Sequence, residues 1–442
     1  MPVPKPLPEV MPGALPVEKA PLCQGTKAQM TWLERLRLWR DRQIASPRFR
    51  RWAANFPLTR PIARRRAREL SDLVAGFTYS QVLLACVRLQ LFEQLADGPL
   101  GLADLARRSG LGIDAMARLL DAAVALRLMQ RLPGPVSGVT RGSGSAPEPG
   151  AGQPSYRLGP LGAPLVGNAG LLAMIEHHSL LYADLADPVT LLRARHAGAA
   201  LAEYWPYAAE SAGVGAAPTA VKPPPDDGHA PAPSPAARYS ALMAASQPLV
   251  AEEVLACCDL SGFRRLLDVG GGLGTFAAAV AERWPQLQLQ VFDLPPVISQ
   301  ARAHLERLGL DQRIALQAGS FLKDELPLGA DLISLVRVVH DHEDAAVLTL
   351  LSAVRRALPP QGALLLAEPL ADTPGARAMG HAYFGLYLWA MGSGRPRSLA
   401  ELTRLLQRAG FAAPRLLRNP MPLQTRVLLV RPDPRHGQGR RG

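Results

Sequence analysis

Two clusters in the second half of the chain have the residue types and spacing that chemistry needs. The first is the run Leu266-Leu-Asp268-Val-Gly270-Gly271-Gly272-Leu-Gly274-Thr275, which leaves an apolar strand pattern and enters a helical one. Glycines at such a turn permit tight backbone conformations and bring N–H groups at a helix start within reach of a ligand. Asp293 follows 19 residues after Gly274, at the end of the next apolar stretch, where a carboxylate can accept both hydroxyls of a ribose. The second cluster is His340, ending Ile333-Ser-Leu-Val-Arg-Val-Val-His, with Glu368 ending the next apolar run. A histidine there can take a proton, and a carboxylate can orient the ring and stabilise its charged form. The same histidine could also be a capping or core residue. His342 makes a His-x-His pair without a third ligand nearby in sequence, so no metal is expected.

The elements that must position these residues alternate. Apolar strand patterns at 265–269, 289–293, 314–317, 332–335, 363–367 and 426–430 are separated by helical stretches. That order predicts an α/β fold with a Rossmann-like, doubly wound parallel sheet, in which ligands sit beyond the carboxyl ends of the strands. Both clusters fall there. The glycines are spaced G-x-G-x-G, Thr275 stands where the dinucleotide fingerprint has its third Gly or Ala, and Asp268 precedes them. This favours S-adenosylmethionine over NAD, because that cofactor has an ammonium to pair with an acid and no pyrophosphate to cradle.

The chain has 442 residues, 49 Lys+Arg against 37 Asp+Glu, and four Cys with no C-x-x-C. The length allows a large core and about three structural units, and the cysteines support neither a disulfide framework nor a zinc ribbon, consistent with a reducing, cytoplasmic setting. The apolar stretches 73–87 and 158–175 are too short or too broken by Gly and Pro to read as membrane spans. Residues 1–29 are Pro-rich and lack a signal-peptide core, and Met30 is a plausible alternative start. Residues 30–70 carry twelve Arg against Glu34, Asp41 and Glu69, with Trp32, Leu33, Leu36 and Trp39 at helical spacing. This is the pattern of a basic amphipathic arm at an anionic membrane surface, or of an arm on a partner subunit. A helix-turn-helix pattern over 102–122 raises DNA binding. Its second helix offers only Arg118 to read bases, so an interface is the better reading and no nucleic-acid partner is expected.

In order, Leu-Asp-Val-Gly-Gly-Gly-Leu-Gly, Val-Phe-Asp293-Leu-Pro, Gly319-Ser320-Phe321, Arg337-Val-Val-His340-Asp341 and Leu-Leu-Ala-Glu368 resemble the class I S-adenosylmethionine-dependent O-methyltransferases. The similarity is to the branch with an N-terminal winged-helix dimerisation domain, which includes caffeate-type and acetylserotonin enzymes, and it covers about residues 66–432. The resemblance implies an all-helical winged-helix dimerisation domain, a homodimer, His340 as general base oriented by Glu368, and no metal. It implies cofactor contacts by Asp268, Gly270, Gly272, Gly274, Asp293, Ser320, Phe321 and Arg337, with S-adenosylhomocysteine as product. Two departures stand out: Ser320 replaces an Asp that holds the adenine amine in relatives, and Pro396 replaces a Glu near the histidine, leaving His340 to Glu368 alone.

Residues 383–391, with Met243 and the block around Met174, His177 and His178, are the expected acceptor wall, unless they are plain core. Met243, His177, Tyr387 and Met391 are the candidate contacts of an apolar acceptor. The stretches 45–68, 74–86, 177–188 and 391–397 are similar to the carotenoid-modifying members of the family, which implies methylation of the tertiary C-1 hydroxyl of an acyclic hydroxycarotenoid. Bacteriochlorophyll precursors, quinols and phenols are the alternatives, and a DNA-binding regulator is a remote one. The expected organisation is a leader and basic arm over 1–65, a winged-helix dimerisation domain over 66–210 with a loop insertion at 133–155, a Pro-rich insertion at 211–236, a cofactor-binding domain over 237–432 and a basic tail at 433–442. The expected location is cytoplasmic, with peripheral contact to the photosynthetic membrane through residues 30–70.

Overall fold

The computed structural model describes residues 31–133, 154–194, 199–204, 235–419 and 425–435, with the backbone alone at 203–204 and 235–245. The expectations for the leader, for Met30 as a start, for most of both insertions and for residues 436–442 of the tail lie outside the described residues. The chain divides into two units, residues 1–78 and 79–442.

In the first unit Thr31 opens helix α1 (Trp32–Ala45) with a reciprocal cap: its hydroxyl accepts from Glu34 N, and Glu34 Oε2 accepts from Thr31 N at 2.7 Å. No residue of α1 is buried, and Trp32 and Trp39 stand in solvent at 72% and 60% exposure. Pro47 starts α2 (Pro47–Asn55), where a missing N–H costs nothing, and Trp52 stacks on Phe56 at 5.0 Å. Helix α3 (Arg60–Arg88) follows. Among the described residues it is the one helix long and apolar enough to cross a membrane by length and composition, a longer apolar helix than residues 73–87 alone suggest.

The second unit begins within α3, from Tyr79, and continues with short elements: α4 (Leu91–Gln94), β1 (Leu100–Gly101), α5 (Leu102–Ser109), α6 (Ile113–Ala125), β2 (Met129–Leu132) and β3 (Ser155–Leu158). The strands pair antiparallel in the order β1-β3-β2, a small wing that an all-helical reading omits. Strand β3 starts at Ser155, so the loop is shorter than 133–155. Buried Leu91, Phe92, Leu105, Met116, Leu120 and Tyr156 form this domain's core. Helices α7 (Ala169–Asp184), α8 (Pro188–Ala194) and α9 (Ala200–Tyr204) complete the helical block, and α10 (Pro235–Cys257) leads into the larger sheet, starting two residues inside the expected insertion.

That sheet comprises β4 (Arg265–Val269), β5 (Gln288–Asp293), β6 (Ile314–Ala318), β7 (Leu332–Val336), β8 (Ala363–Glu368), β9 (Arg415–Leu416) and β10 (Arg426–Val430), in the order β6-β5-β4-β7-β8-β10-β9. Strands β4 to β8 are parallel; β10 runs antiparallel to β8, and β9 to β10, so the sheet is mixed at one edge. Alternation along each strand builds two cores. Leu267, Ile333 and Leu364 pack with Val347, Leu351 and Val354 of α13 (Asp344–Ala357), while Leu266, Leu332 and Leu365 pack with Phe276 and Val280 of α11 (Thr275–Arg283) and Ile298 of α12 (Pro295–Arg307). All of β7 and β8 is buried. The strand order reverses between β4 and β7, the point of such a sheet beyond whose carboxyl ends ligands bind.

Candidate active site

The glycine turn leaves β4 at that reversal. Gly270, Gly272 and Gly274 adopt φ of 69°, 58° and 80°, a left-handed region that costs other residues strain. A Cβ on Gly270 would press on Val338, whereas one on Gly272 would meet nothing within 4 Å, so the open side of the turn lies at Gly272. Asp293, at the end of β5, accepts Gly272 N at 2.8 Å and Leu294 N at 2.7 Å, and burial raises its carboxyl to about 6 against those two bonds. Asp268 is buried; its Oδ1 accepts from Ser334 Oγ at 2.6 Å and its Oδ2 has no partner. Burial raises it to about 7, with Ser334 opposing and Asp293 adding to the rise. An orphaned carboxylate oxygen, a second acid one strand away and an open glycine turn are the donor set that suits a ligand bearing a cation and a ribose.

Ser320 and Phe321 lie just past β6. Asp324 accepts Ser320 N at 2.8 Å, and the half-buried Phe321 ring meets His342 edge-on at 5.2 Å. Arg337 follows β7 with φ of 59°, unusual for a residue with a Cβ, and donates its N–H to Ala367 O at 2.8 Å. This conformation ends β7 at Val336, so His340 sits in a 3-10 turn (Val339–Asp341) and not at the end of the strand itself.

Glu368, the last residue of β8, organises that turn. Its Oε1 accepts from Val338 N at 3.0 Å and Val339 N at 2.7 Å, and its Oε2 accepts from His340 N at 3.2 Å. The same Oε2 is 2.7 Å from His340 Nδ1. On the other side of the ring Nε2 is 3.1 Å from Asp341 Oδ1, so His340 does not depend on Glu368 alone. Burial pushes Asp341 up to about 6, with His340 and Arg337 pulling it down and Glu368 pushing it up. Asp341 was visible in the motif and carried no assigned role.

The Phe384 ring packs edge-on to His340 at 5.9 Å, and Tyr383 follows it. Both belong to a π-helical turn (Ala378–Phe384) that runs into α14 (Gly385–Met391). His177 Nε2 is 2.9 Å from Tyr387 OH, and His178 Nε2 is 2.8 Å from Tyr383 OH, so two His–Tyr pairs join α7 to this segment. Burial lowers His177 to about 4, aided by the charge of His178, and leaves a neutral ring. Met391 packs with Leu181, Leu191 and Leu201 in an apolar cluster. Of the expected acceptor contacts, then, His177 and Tyr387 are brought together, Met391 lies in that cluster, and the Met243 side chain lies outside the described residues. Phe384, whose ring packs on His340, lies within the expected wall 383–391 but is not among the named candidate contacts. Burial lowers His342 to about 4, and among the described residues no group of three potential metal ligands occurs.

A glycine turn with two buried acids, beside a buried histidine flanked by carboxylates, suits an α/β group-transfer enzyme. The chain belongs to the O-methyltransferase family: residues 227–412 match its O-methyltransferase domain and residues 71–166 its dimerisation domain, which supports a homodimer. The demethylspheroidene O-methyltransferase of Cereibacter sphaeroides is 40% identical over 89% of this chain and 94% of its own length. Acetylserotonin O-methyltransferase of Mus musculus is 35% identical over 79% of this chain and 85% of its own. Human N-acetylserotonin methyltransferase, solved in complex with S-adenosylmethionine, aligns with a TM-score of 0.62 at 25% identity, covering 83% of this chain and 97% of that one.

Proposed function

We propose that the enzyme methylates the tertiary C-1 hydroxyl of an acyclic hydroxycarotenoid, with S-adenosylmethionine as donor and His340 as general base. The observation that carries the reading is the buried His340–Glu368 pair at 2.7 Å, set beside the Phe384 ring at the carboxyl edge of the sheet. When bound, the cofactor supplies a sulfonium methyl for in-line transfer. Asp268 suits its ammonium, Asp293 its ribose, and Phe321 with Ser320 the adenine side. Glu368 accepts from Nδ1–H, and Nε2, the ring nitrogen beside Asp341, takes the acceptor's proton; the imidazolium is then held between Glu368 and Asp341. A tertiary alcohol is a weak acid, so proton removal accompanies attack. Phe384 and Tyr383 offer a carotenoid end apolar surface and exclude water.

The likeness to the demethylspheroidene enzyme supports the carotenoid acceptor. The exposed tryptophans and arginines of residues 30–70, all ahead of the matched dimerisation domain, support peripheral contact with an anionic membrane surface on the cytoplasmic side. The test is an incubation of the purified enzyme with labelled S-adenosylmethionine and a 1-hydroxy acyclic carotenoid, a bacteriochlorophyllide and a catechol, with products separated by mass. Label on the carotenoid alone is expected. Label on another acceptor discards the carotenoid and keeps the methyl transfer.

A further inference from the structure

The turn that carries His340 exposes two rows of backbone groups, and only the N–H row is held by Glu368. The carbonyl row needs partners as well, because a buried acceptor without a donor is costly. One segment, Ser393–Arg397, supplies a donor to each of four carbonyls. Arg397 Nη1 donates to Val339 O at 2.8 Å, Arg395 N to His340 O at 2.9 Å, Ser393 Oγ to Asp341 O at 2.7 Å, and Arg397 Nη2 to His342 O at 2.7 Å. Arg397 is 3% exposed and uses its whole donor fork: Nε and Nη2 also meet Asp344 Oδ1 at 2.9 and 2.7 Å, and Nη1 reaches Arg395 O at 3.5 Å.

The segment has little freedom to do otherwise. Gly394 has φ of 82°, and a Cβ there would collide with His340 O. Pro396 fixes its own φ. Arg397 O accepts from Ala371 N at 2.9 Å, three residues beyond Glu368 on the exit from β8. The two clamps on the turn, carboxylate on the N–H side and guanidinium on the carbonyl side, are therefore registered on the same strand.

We propose that Arg397 is a positioning residue for the reaction. It sets the place of His340 Nε2 by gripping the carbonyls on either side of the His340–Asp341 pair. The inference rests on His340 being the base. A lysine at 397 is a single point donor and cannot bridge Val339 O, His342 O and Asp344 together. A displacement of the base by about 1 Å costs on the order of a hundredfold in rate.

The experiment compares Arg397→Ala, Arg397→Lys and His340→Ala for kcat, for both KM values, for S-adenosylhomocysteine affinity by calorimetry and for melting temperature, with and without millimolar guanidinium. We expect Arg397→Ala to lose about ten- to a hundredfold in kcat. Cofactor affinity should stay within about twofold, Arg397→Lys should be intermediate, and guanidinium should restore part of the Arg397→Ala rate but none of the His340→Ala rate. A fold that was merely loosened gains nothing from guanidinium at millimolar concentration, so rescue marks positioning. Retention of kcat within about twofold in both Arg397 variants, with His340→Ala inactive, overturns the proposal and leaves the base in place. Full activity of His340→Ala overturns both. Should Arg397→Ala fail to fold, Arg397→Lys decides: a loss of kcat at unchanged cofactor affinity supports the role, and unchanged kcat removes it.

Discussion

His340 Nδ1 and Glu368 Oε2 lie 2.7 Å apart in the interior, and the same carboxylate accepts the N–H groups of Val338, Val339 and His340. One side chain therefore fixes both the orientation of the ring and the backbone turn that carries it. The consequence is that Glu368 and His340 should behave differently when replaced.

His340→Gln removes the base but keeps a polar side chain of similar reach. It should lower kcat by about 100- to 10,000-fold and leave cofactor affinity nearly unchanged. Single-turnover assays with calorimetric titration of S-adenosylhomocysteine separate the two effects.

Glu368→Gln puts an amide among four donors. One acceptor oxygen cannot replace two, and the NH2 group must face an N–H. We expect a loss on the order of 2–3 kcal/mol in stability together with a fall in kcat, where His340→Gln changes stability little. Denaturant melts of both variants check the contrast.

The contrast between these residues also explains what the sequence could and could not reveal. Apolar runs ending in Asp268, Asp293 and Glu368 made the sheet and its carboxyl edge legible, because parallel strands buried on both faces are continuous in apolarity. The glycine turn was legible because its φ values require glycine. The wing was not, since β1 spans two residues and β2 pairs with a strand 23 residues beyond its end. Arg337 looked like one more strand residue; its left-handed φ ends β7 before His340 while its N–H still bonds Ala367 O on the next strand. The clamp of Arg397 on Val339 and His342 joins segments 55 and 58 residues apart, and a pattern of types gives no sign of it.

Asp268 supplies a pH test. Its folded pKa of about 7 lies above the ordinary carboxyl value of 3.8, so the folded state binds the extra proton between those limits. Its contribution to apo stability is present at low pH and is lost as pH rises through about 7. Asp268→Asn abolishes that titration, so the melting temperature of the variant relative to the parent should rise from pH 5 to pH 8 in the absence of cofactor. Cofactor should raise the melting temperature of the parent more than that of the variant. A difference that stays flat with pH would show that Asp268 titrates as an ordinary surface acid.

Tyr387→Phe tests the joint between α7 and the aromatic segment. It removes the hydroxyl 2.9 Å from His177 Nε2 and weakens the pairing of a buried imidazole, at a cost of about 1–3 kcal/mol. Phe384→Ala opens space beside His340. The first variant should lower the melting temperature with little change in kcat, and the second should raise acceptor KM and leave cofactor affinity alone.

The arm poses the last question, because α1 buries none of its own residues while Trp32, Leu33, Leu36 and Trp39 stand exposed among arginines. Leu73, Val74 and Phe77 are exposed too, but they lie inside the matched dimerisation domain, where a second copy can cover them. Trp32 and Trp39 lie outside it. On anionic vesicles each nearby arginine contributes about 1 kcal/mol, so replacing Arg35, Arg37, Arg40 and Arg42 by Gln should abolish co-sedimentation at physiological salt. Binding of the parent should weaken as salt rises, and neutral vesicles should retain little of it. Because none of these arginines has a part in the proposed methyl transfer, the same variant should methylate a detergent-dispersed acceptor at the parent rate and lose rate only when the acceptor is dissolved in vesicles. Unchanged sedimentation of the variant would return the arm to a role between subunits, which analytical ultracentrifugation of the parent and variant would then resolve.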